Sequence, residues 1–317
     1  MSELRYAIIG TGALGGFYGG RLAKTGLDVH FLLHSDYEHV RDHGLRVDSV
    51  DGDFVLPHVH AYGAAGDMPP CDVVVVSLKT TANALLGELL PPVLADDGVV
   101  LVLQNGLGIE ERVAEIVGPQ RVMGGLCFLC SIKAGPGHIR HLDYGYVTLG
   151  EYEAEGKPGG ISGRMRTIGA DFEAAGIRVQ YAEDLVLARW RKLIWNVPFN
   201  GLSVLLDATT DRIMAGEPSR ALAEDLMREV AAAARAAAER EIPESFIQSQ
   251  LADTAKMTPY SPSMLLDRRA GKPMEIEAIF GEPIRAAQAA GCNVPRIETM
   301  CRLLKFVDEG ASRGTAV

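Results

Sequence analysis

The feature that most constrains this chain is a glycine-rich turn close to its first residue. Residues 10–15 read Gly-Thr-Gly-Ala-Leu-Gly and come directly after a short apolar run, Leu4–Ile9, which predicts a buried strand. Helical apolar spacing then extends from Leu14 to Thr25. Glycines at this spacing, between a strand and a helix, are typical of dinucleotide-binding domains, because they let a pyrophosphate approach the backbone at the start of the helix. We therefore expect the chain to begin with a domain that binds a dinucleotide.

The segments that follow predict a doubly wound α/β sheet. Strand patterns at 28–33, 71–78 and 99–103 alternate with a helical pattern at 81–90. The strand at 71–78 contains four consecutive valines, which is typical of a parallel strand that is covered on both faces. An Asp51-Gly52 pair between two short apolar runs predicts a hairpin in the same region.

The second half of the chain reads as mostly helical. A glycine-rich hairpin region at 135–150 and a helix at 161–175 come first, and helical patterns follow at 185–195, 219–239 and 275–290. The alanine-rich segment at 219–239 lacks a sustained heptad, so a packed core helix is favoured over a coiled coil. These patterns predict two domains: a Rossmann dinucleotide-binding domain at 1–180 and a helical substrate and catalytic domain at 181–317.

Composition excludes several classes of function. The net charge of −10 is spread along the 317 residues, which argues against nucleic acid or an anionic membrane as a partner. The apolar stretches are too short to span a bilayer, and no basic and apolar leader precedes the first strand. Five cysteines at irregular spacing favour free thiols in a reducing cytoplasm, so a cytoplasmic location is expected.

The residues after the second strand bear on the choice between NAD and NADP. No carboxylate directly follows Leu33, which disfavours the usual NAD contact with both ribose hydroxyls. His34 and Ser35 can hydrogen-bond a 2′-phosphate, with Arg41 nearby, whereas Asp36 argues for NAD. On this balance the predicted cofactor is NADP.

Polar residues follow two further strands at the edge where ligands bind in open α/β sheets. Lys79 comes after the valine-rich strand, and Asn105 begins an Asn-Gly pair after the next one. A lone lysine is usually solvated and an Asn-Gly pair is usually a turn, but both together at ligand-facing strand ends favour a functional role. Lys192 and Asn196 lie four residues apart and would share one helix face, with Asn200 extending the row unless Pro198 kinks the helix. These three polar side chains either form hydrogen bonds with one another at the boundary between the two predicted domains or contact a polar substrate.

Taken together, these residues resemble the ketopantoate reductase (2-dehydropantoate 2-reductase) family over nearly the whole chain. The shared motifs are, in order, Gly10–Gly15, Ser77–Lys79, Gln104–Gly108, Trp190–Leu193, and Ser263–Met264 with Glu275–Glu277 downstream. The first motif is generic, but the set in this order and spacing is specific. The resemblance implies an NADPH-dependent reduction of 2-dehydropantoate to pantoate, on the route to pantothenate and coenzyme A. It also implies an active site in a cleft between the Rossmann and helical domains.

The resemblance also implies a role for each matching residue. Lys192 corresponds to the general acid and Glu275 to the carboxylate that receives the hydroxyl of the substrate, while Glu277 is expected to be an ordinary solvated acid. Further substrate contacts correspond to Asn196, Asn200 and Ser263, and both Lys79 and Asn105 correspond to residues that line the nicotinamide end of the cleft and contact substrate. With the residues singled out above, the predicted cofactor-binding set is Gly10, Thr11, Gly12, Ala13, Leu14, Gly15, His34, Ser35, Lys79 and Asn105.

The chemistry of a ketone reduction agrees with these roles, because the oxygen that gains negative charge needs a proton and a nearby cation. Lys192 supplies both, and Lys79 is the alternative acid. Two departures from the family stand out: His34 occupies a position where members usually carry arginine, and Pro198 lies inside the segment that contains the lysine and the asparagines.

Other readings of the sequence remain open or are set aside. The substrate is open between 2-dehydropantoate and another branched or hydroxylated 2-oxo acid, and a cofactor-binding sensor without catalysis is the alternative outside enzymes. Cys127 and Cys130 lie in an apolar strand pattern and are expected to be buried thiols, and no metal site is predicted from His58 and His60. A homodimer is one assembly compatible with the resemblance.

Overall fold

The computed structural model describes residues 2–312 and divides into two compact units. The first unit comprises the chain up to Gln104 together with Ile109–Leu185, and the second comprises Asn105–Gly108 with the chain from Val186 onward. Among the described residues, no helix combines the length and the apolar character that crossing a bilayer requires.

The first unit is a ten-stranded sheet with helices. Its strands are β1 Arg5–Ile9, β2 Asp28–Leu32, β3 Leu45–Ser49, β4 Phe54–Leu56, β5 His60–Tyr62, β6 Cys71–Val76, β7 Leu94–Val102, β8 Val122–Gly135, β9 His138–Glu151 and β10 Val179–Ala182. Its helices are α1 Ala13–Lys24, α2 Tyr37–His43, α3 Leu86–Leu89, α4 Ile109–Val117 and α5 Gly163–Ala174, with 3₁₀ turns at Ala65–Asp67, Thr80–Leu85 and Pro119–Arg121.

The sheet is mixed but mostly parallel, as the alternation of strands and helices predicts. Its order is β4-β3-β9-β8-β7-β6-β1-β2-β5, with β10 paired to β9. Only β3 with β4 and β8 with β9 pair in antiparallel fashion among the strands of the described chain. The predicted Asp51-Gly52 turn joins β3 to β4, with Gly52 at a φ of +109°. The doubly wound fold class is confirmed.

The central strands are buried on both faces. Val73 and Val75 belong to the hydrophobic core on one face of the sheet, and Val74 and Val76 belong to the core on the other face. Because successive side chains of a strand point to opposite faces, four consecutive valines can only be buried if both faces are covered. The valine run therefore identifies β6 as a central strand.

Two segments of this unit differ from the expected pattern. The helix expected at 81–90 is a 3₁₀ turn, Thr80–Leu85, followed by the single turn of α3. Its first residues, two threonines and later Asn83, are poor helix formers because their side chains compete for backbone hydrogen bonds. The glycine-rich hairpin begins earlier than expected, since β8 and β9 are each fourteen residues long and the first of them starts at Val122.

The second unit is helical, as expected. Its helices are α6 Leu185–Leu206, α7 Thr210–Ala215, α8 Glu217–Ala238, α9 Glu244–Lys256, α10 Ser263–Arg269, a π-helical turn Glu277–Gly281, α11 Glu282–Ala289 and α12 Pro295–Ser312. The alanine-rich α8 contributes Ala233 and Ala234 to the core of the unit, which agrees with a packed helix. Helix α6 continues through Pro198, eleven residues beyond the expected end at Trp195.

Candidate active site

The glycine turn lies between β1 and α1, and its three glycines meet different steric conditions. A Cβ on Gly10, whose φ is +100°, would lie 2.6 Å from the backbone nitrogen of Leu78. A Cβ on Gly15 would lie 2.3 Å from the hydroxyl of Ser77. A Cβ on Gly12, by contrast, would meet no described atom within 4 Å. The first and third glycines therefore permit close packing, and the second leaves space open at the start of α1, where a pyrophosphate is accommodated in folds of this kind.

Hydrogen bonds from both neighbouring strands hold this turn in place. The Thr11 hydroxyl donates to the Leu32 carbonyl at the end of β2 (2.9 Å), and the Ser77 hydroxyl after β6 donates to the Gly10 carbonyl (2.8 Å). No side chain caps α1, because its N-cap residue is Gly12. The backbone N–H groups of Ala13 and Leu14 in the first helical turn are therefore available to an anion. The turn has the features required to hold a dinucleotide phosphate.

The loop after β2 carries the residues expected to meet the adenosine ribose. His34 and Ser35 are exposed, whereas Asp36 is buried and accepts hydrogen bonds from the ammonium of Lys133 (2.6 Å) and the N–H of Gly137 (3.1 Å). The carboxylate that argued for NAD is thus engaged by the protein itself. Arg41 is exposed and forms an ion pair with its neighbour Asp42 at 2.8 Å.

Lys133 is the residue at this end of the sheet that the sequence analysis did not single out. It lies near the end of β8, just before the Gly135-Pro136-Gly137 turn of the long hairpin. The available signal was its position: a lysine at a strand end, next to a turn, in a sheet whose strand ends bind ligands. The strand order that brings β8 to the same edge as the glycine turn is not visible in the sequence.

Lys79 lies at the edge of the sheet where the sequence analysis placed it. It follows β6, which is the direct neighbour of β1 in the sheet, and its side chain is exposed. The carboxyl ends of β1 and β6 therefore place Lys79 and the glycine turn along one edge. Asn105 follows β7 and is half-buried, and it belongs to the second unit.

The three polar residues of α6 form one buried row in the second unit. Lys192, Asn196 and Asn200 follow one another at intervals of four residues, and their exposed fractions are 7%, 5% and 3%. Within residues 2–312, the side-chain nitrogen of Asn196 is buried and has no hydrogen-bond partner. A buried donor that is not satisfied costs about 1–3 kcal/mol, so its presence favours a polar ligand at this row.

Asn200 has a different environment from Asn196. Its side-chain carbonyl accepts hydrogen bonds from the Ser263 hydroxyl (3.5 Å) and the Met264 N–H (3.3 Å) at the first turn of α10. The structure therefore brings together Asn200 and Ser263, two of the expected substrate contacts. These hydrogen bonds also fix the first turn of α10 against α6.

Glu275 lies immediately before an unusual helical turn. Glu275 is buried, with 3% of the residue exposed, and its backbone carbonyl accepts a hydrogen bond from the N–H of Ile279 (3.2 Å). Within the π-helical turn that follows, the carbonyl of Ala278 accepts the N–H of Leu107 (3.0 Å). This bond ties the segment that carries Asn105 to the segment that carries Glu275. Single π-helical turns within helices are frequent at functional sites.

Glu277 behaves as the ordinary acid that was expected. It is exposed, and hydrogen bonds from Lys305 and Arg285 lower the pKa of its carboxyl group below the usual range. Its position two residues after Glu275 is therefore used for surface ion pairs.

No catalytic or metal-binding role was predicted for the cysteines or for His58 and His60. None of the five cysteines, which all lie in the described chain, forms a disulfide, and Cys127 and Cys130 are buried in β8. Burial raises the pKa of the Cys71 thiol to about 12, which keeps it protonated near neutral pH. His60 stacks on His30 at 4.8 Å, and no group of three ligating side chains in the described chain is arranged to hold a metal ion.

Comparison with known families decides which group of proteins these features belong to. Residues 6–154 match the family described as ketopantoate reductase PanE/ApbA, and residues 184–308 match the C-terminal region of the same family. The chain belongs to the ketopantoate reductase family. This confirms the resemblance drawn from the motifs, all of which lie within the two matched regions.

Individual relatives agree with the family over the full chain. A 2-dehydropantoate 2-reductase from Nostoc sp. is 56% identical over 308 residues, which cover 97% of this chain and 96% of the relative. The crystal structure of 2-dehydropantoate 2-reductase from Geobacter metallireducens is 43% identical, with a TM-score of 0.92 over 96% of this chain and 99% of that one. A D-mandelate dehydrogenase solved with NADH and anilino(oxo)acetate shares the fold at 18% identity, with a TM-score of 0.87 over 98% and 99% of the two chains.

Proposed function

We propose that this protein is an NADPH-dependent 2-dehydropantoate 2-reductase, which forms pantoate for pantothenate and coenzyme A biosynthesis. The observation that carries this proposal is the 56% identity to such an enzyme over nearly the whole of both chains. The buried row on α6 supports it, because a lysine and two amides below 8% exposure suit a small polar substrate. The function is that of an oxidoreductase acting on a hydroxyl or ketone carbon.

Lys192 is the proposed general acid. A reduced nicotinamide cofactor held at the Gly10–Gly15 turn would supply a hydride to the ketone carbon, and negative charge would then develop on the ketone oxygen. The ammonium of Lys192 stabilises this charge and donates the proton that completes the hydroxyl group. Because Lys192 is 7% exposed, its charge acts in a region from which water is largely excluded, where electrostatic stabilisation is stronger than in water.

The remaining polar side chains of the second unit are proposed to orient the substrate. The Asn196 side-chain nitrogen, which has no partner within the described protein, would donate to a substrate oxygen. The hydroxyl of Ser263, positioned by Asn200, would make a further contact. Glu275, as an ionised carboxylate, would accept the hydrogen bond of the substrate hydroxyl. Lys79 and Asn105 are proposed to line the nicotinamide end of the site.

NADP is the proposed form of the nicotinamide cofactor. Gly10–Gly15 would hold the pyrophosphate, and the exposed side chains of His34 and Ser35 would face the adenosine ribose. The carboxylate of Asp36 is engaged by Lys133 and Gly137, so it is not presented to a ribose diol in the manner of NAD-binding domains.

The decisive experiment is a substrate panel with the purified protein. We expect NADPH oxidation with 2-dehydropantoate at a kcat/KM at least about tenfold above that for other branched or hydroxylated 2-oxo acids, since pocket shape sets such ratios. A higher kcat/KM for another 2-oxo acid would move the proposal to that substrate. Tight NADPH binding without oxidation by any acid of the panel would favour a non-catalytic cofactor sensor.

A further inference from the structure

The ion pair between Asp36 and Lys133 lies in the first unit, at the loop that would meet the adenosine ribose. The carboxylate of Asp36 has 6% of its side chain exposed, and the ammonium of Lys133 lies 2.6 Å from it. The Gly137 N–H donates to the same carboxylate oxygen at 3.1 Å. A buried carboxylate requires such partners, because an ionised group without them would be costly to remove from water.

Lys133 also reaches the glycine turn. Its ammonium lies 3.5 Å from the carbonyl of Thr11, the second residue of that turn. One cation therefore contacts both the turn that would hold the pyrophosphate and the loop that would meet the adenosine ribose. Its side chain is 30% exposed, and among residues 2–312 it has no partner beyond Asp36 and Thr11. An ammonium has three N–H donors, so one of them is available to an anion.

NADP differs from NAD by a negatively charged 2′-phosphate, so charged side chains near the adenosine ribose affect the choice between them. Asp36 alone would repel a 2′-phosphate, which carries negative charge where NAD has a hydroxyl group. Lys133 cancels the charge of Asp36 and adds a donor that suits a phosphate. His34 and Ser35, the exposed residues of the loop after β2, carry no permanent positive charge that could meet a 2′-phosphate.

We propose that Lys133, held by Asp36 beside the glycine turn, is a specificity-determining residue that favours NADPH over NADH. This inference rests on the proposed function, since it deepens the assignment of NADP as cofactor. The alternative is that the pair only fastens β8 to the loop after β2. The two roles predict different effects of removing Asp36 on the preference for NADPH over NADH. If Lys133 acts through its charge, loss of Asp36 and loss of Lys133 shift this preference in opposite directions. If the pair only fastens β8 to the loop, the two losses have the same effect.

The test measures dissociation constants for NADPH and NADH in four proteins: wild type, Lys133→Met, Asp36→Asn and the double variant. We expect Lys133→Met to lower the preference for NADPH about tenfold, because it removes a cation and exposes the charge of Asp36. We expect Asp36→Asn to raise the preference about threefold, because Lys133 then acts without its counter-ion. The double variant should lie near the wild type, and Lys133→Arg should retain the preference. Lys157→Met, at an exposed lysine of the same unit, is the matched control.

The outcomes separate this inference from the proposed function. A fall in preference in both single variants, or no change in either, would overturn the role of Lys133 and leave the NADPH proposal standing. A wild type that prefers NADH would contradict the NADPH proposal, while opposite shifts in the two variants would still support the charge role. If Lys133→Met does not fold in a thermal unfolding assay, the comparison of Asp36→Asn with the double variant decides, because neither protein contains an unpaired carboxylate at position 36. The double variant should prefer NADPH about threefold less than Asp36→Asn does, and equal preferences would overturn the role of Lys133.

Discussion

Asn196 and Asn200 have identical side chains on one face of α6, yet the structure gives them opposite hydrogen-bonding situations. The carbonyl of Asn200 accepts two hydrogen bonds from the start of α10, whereas the nitrogen of Asn196 has no partner in the described chain. A satisfied amide stabilises the fold, and an unsatisfied one costs free energy unless a ligand meets it. At the residue scale, therefore, Asn200 has a structural role as well as its proposed contact, and the unsatisfied nitrogen of Asn196 supports its proposed role in substrate binding.

Replacement of each asparagine by leucine should separate these roles. We expect Asn196→Leu to raise the free energy of unfolding by about 1 kcal/mol, because it removes an unsatisfied donor, and to raise KM for 2-dehydropantoate. Asn200→Leu should lower the free energy of unfolding by about 2 kcal/mol, because it leaves the Met264 N–H without its acceptor. Denaturant unfolding and steady-state kinetics measure both effects. Equal destabilisation by the two variants would show that Asn196 has a partner within the protein.

Lys192 is the residue on which the proposed chemistry depends. We expect Lys192→Ala to lower kcat by about 10²–10⁴-fold, the range for loss of a general acid, while the dissociation constant for NADPH stays within about twofold. Lys256→Ala is the matched control, since Lys256 is an exposed lysine at the end of α9 in the same unit. A Lys192→Ala enzyme with wild-type turnover would move the acid role to Lys79.

At the element scale, the glycine turn shows how one motif combines packing with binding. Its first and third glycines meet neighbouring backbone and side-chain atoms, and its second faces open space. The strand before it and the helix after it were both predictable, because their apolar patterns are local. The continuation of α6 through Pro198 was not, because proline lacks the N–H group that a helix interior uses. Packing of Val197 and Phe199 in the core of the second unit stabilises the helix on both sides of that residue.

Alanine at two positions of the turn should give opposite phenotypes. We expect Gly15→Ala to lower the free energy of unfolding by about 1–3 kcal/mol, because its Cβ would lie 2.3 Å from the Ser77 hydroxyl and 2.4 Å from the Gly10 carbonyl. Gly12→Ala should change stability by less than about 1 kcal/mol, because its Cβ meets no described atom. It should nevertheless weaken NADPH binding about tenfold or more by filling the space needed by the pyrophosphate. Normal NADPH affinity in Gly12→Ala would contradict the proposed position of the phosphates.

At the scale of the whole molecule, the chain is built from two units whose membership does not follow the sequence strictly. Asn105–Gly108 belongs to the second unit although the chain on both sides belongs to the first. A Cβ on Gly106, whose φ is +108°, would lie 2.5 Å from the carbonyl of Ala278. This close approach, with the hydrogen bond from Leu107, explains why a loop after β7 packs with the helical unit. A homodimer stays a prediction, which light scattering of the purified protein would test.

Local patterns in the amino-acid sequence were sufficient for the fold class, and the resemblance of the motifs was sufficient for the family, whereas the roles of the candidate residues stay predictions. The glycine spacing, the valine run and the four-residue interval between Lys192 and Asn196 all express regular geometry of a strand, turn or helix. Three features became visible only in the folded chain. They are the hydrogen bonds of Asn200, the unsatisfied side-chain nitrogen of Asn196, and the ion pair of Asp36 with Lys133. Those partners lie 63 and 97 positions apart in the case of Asn200–Ser263 and Asp36–Lys133. Contacts at such separation depend on strand order and helix packing, which no local periodicity encodes.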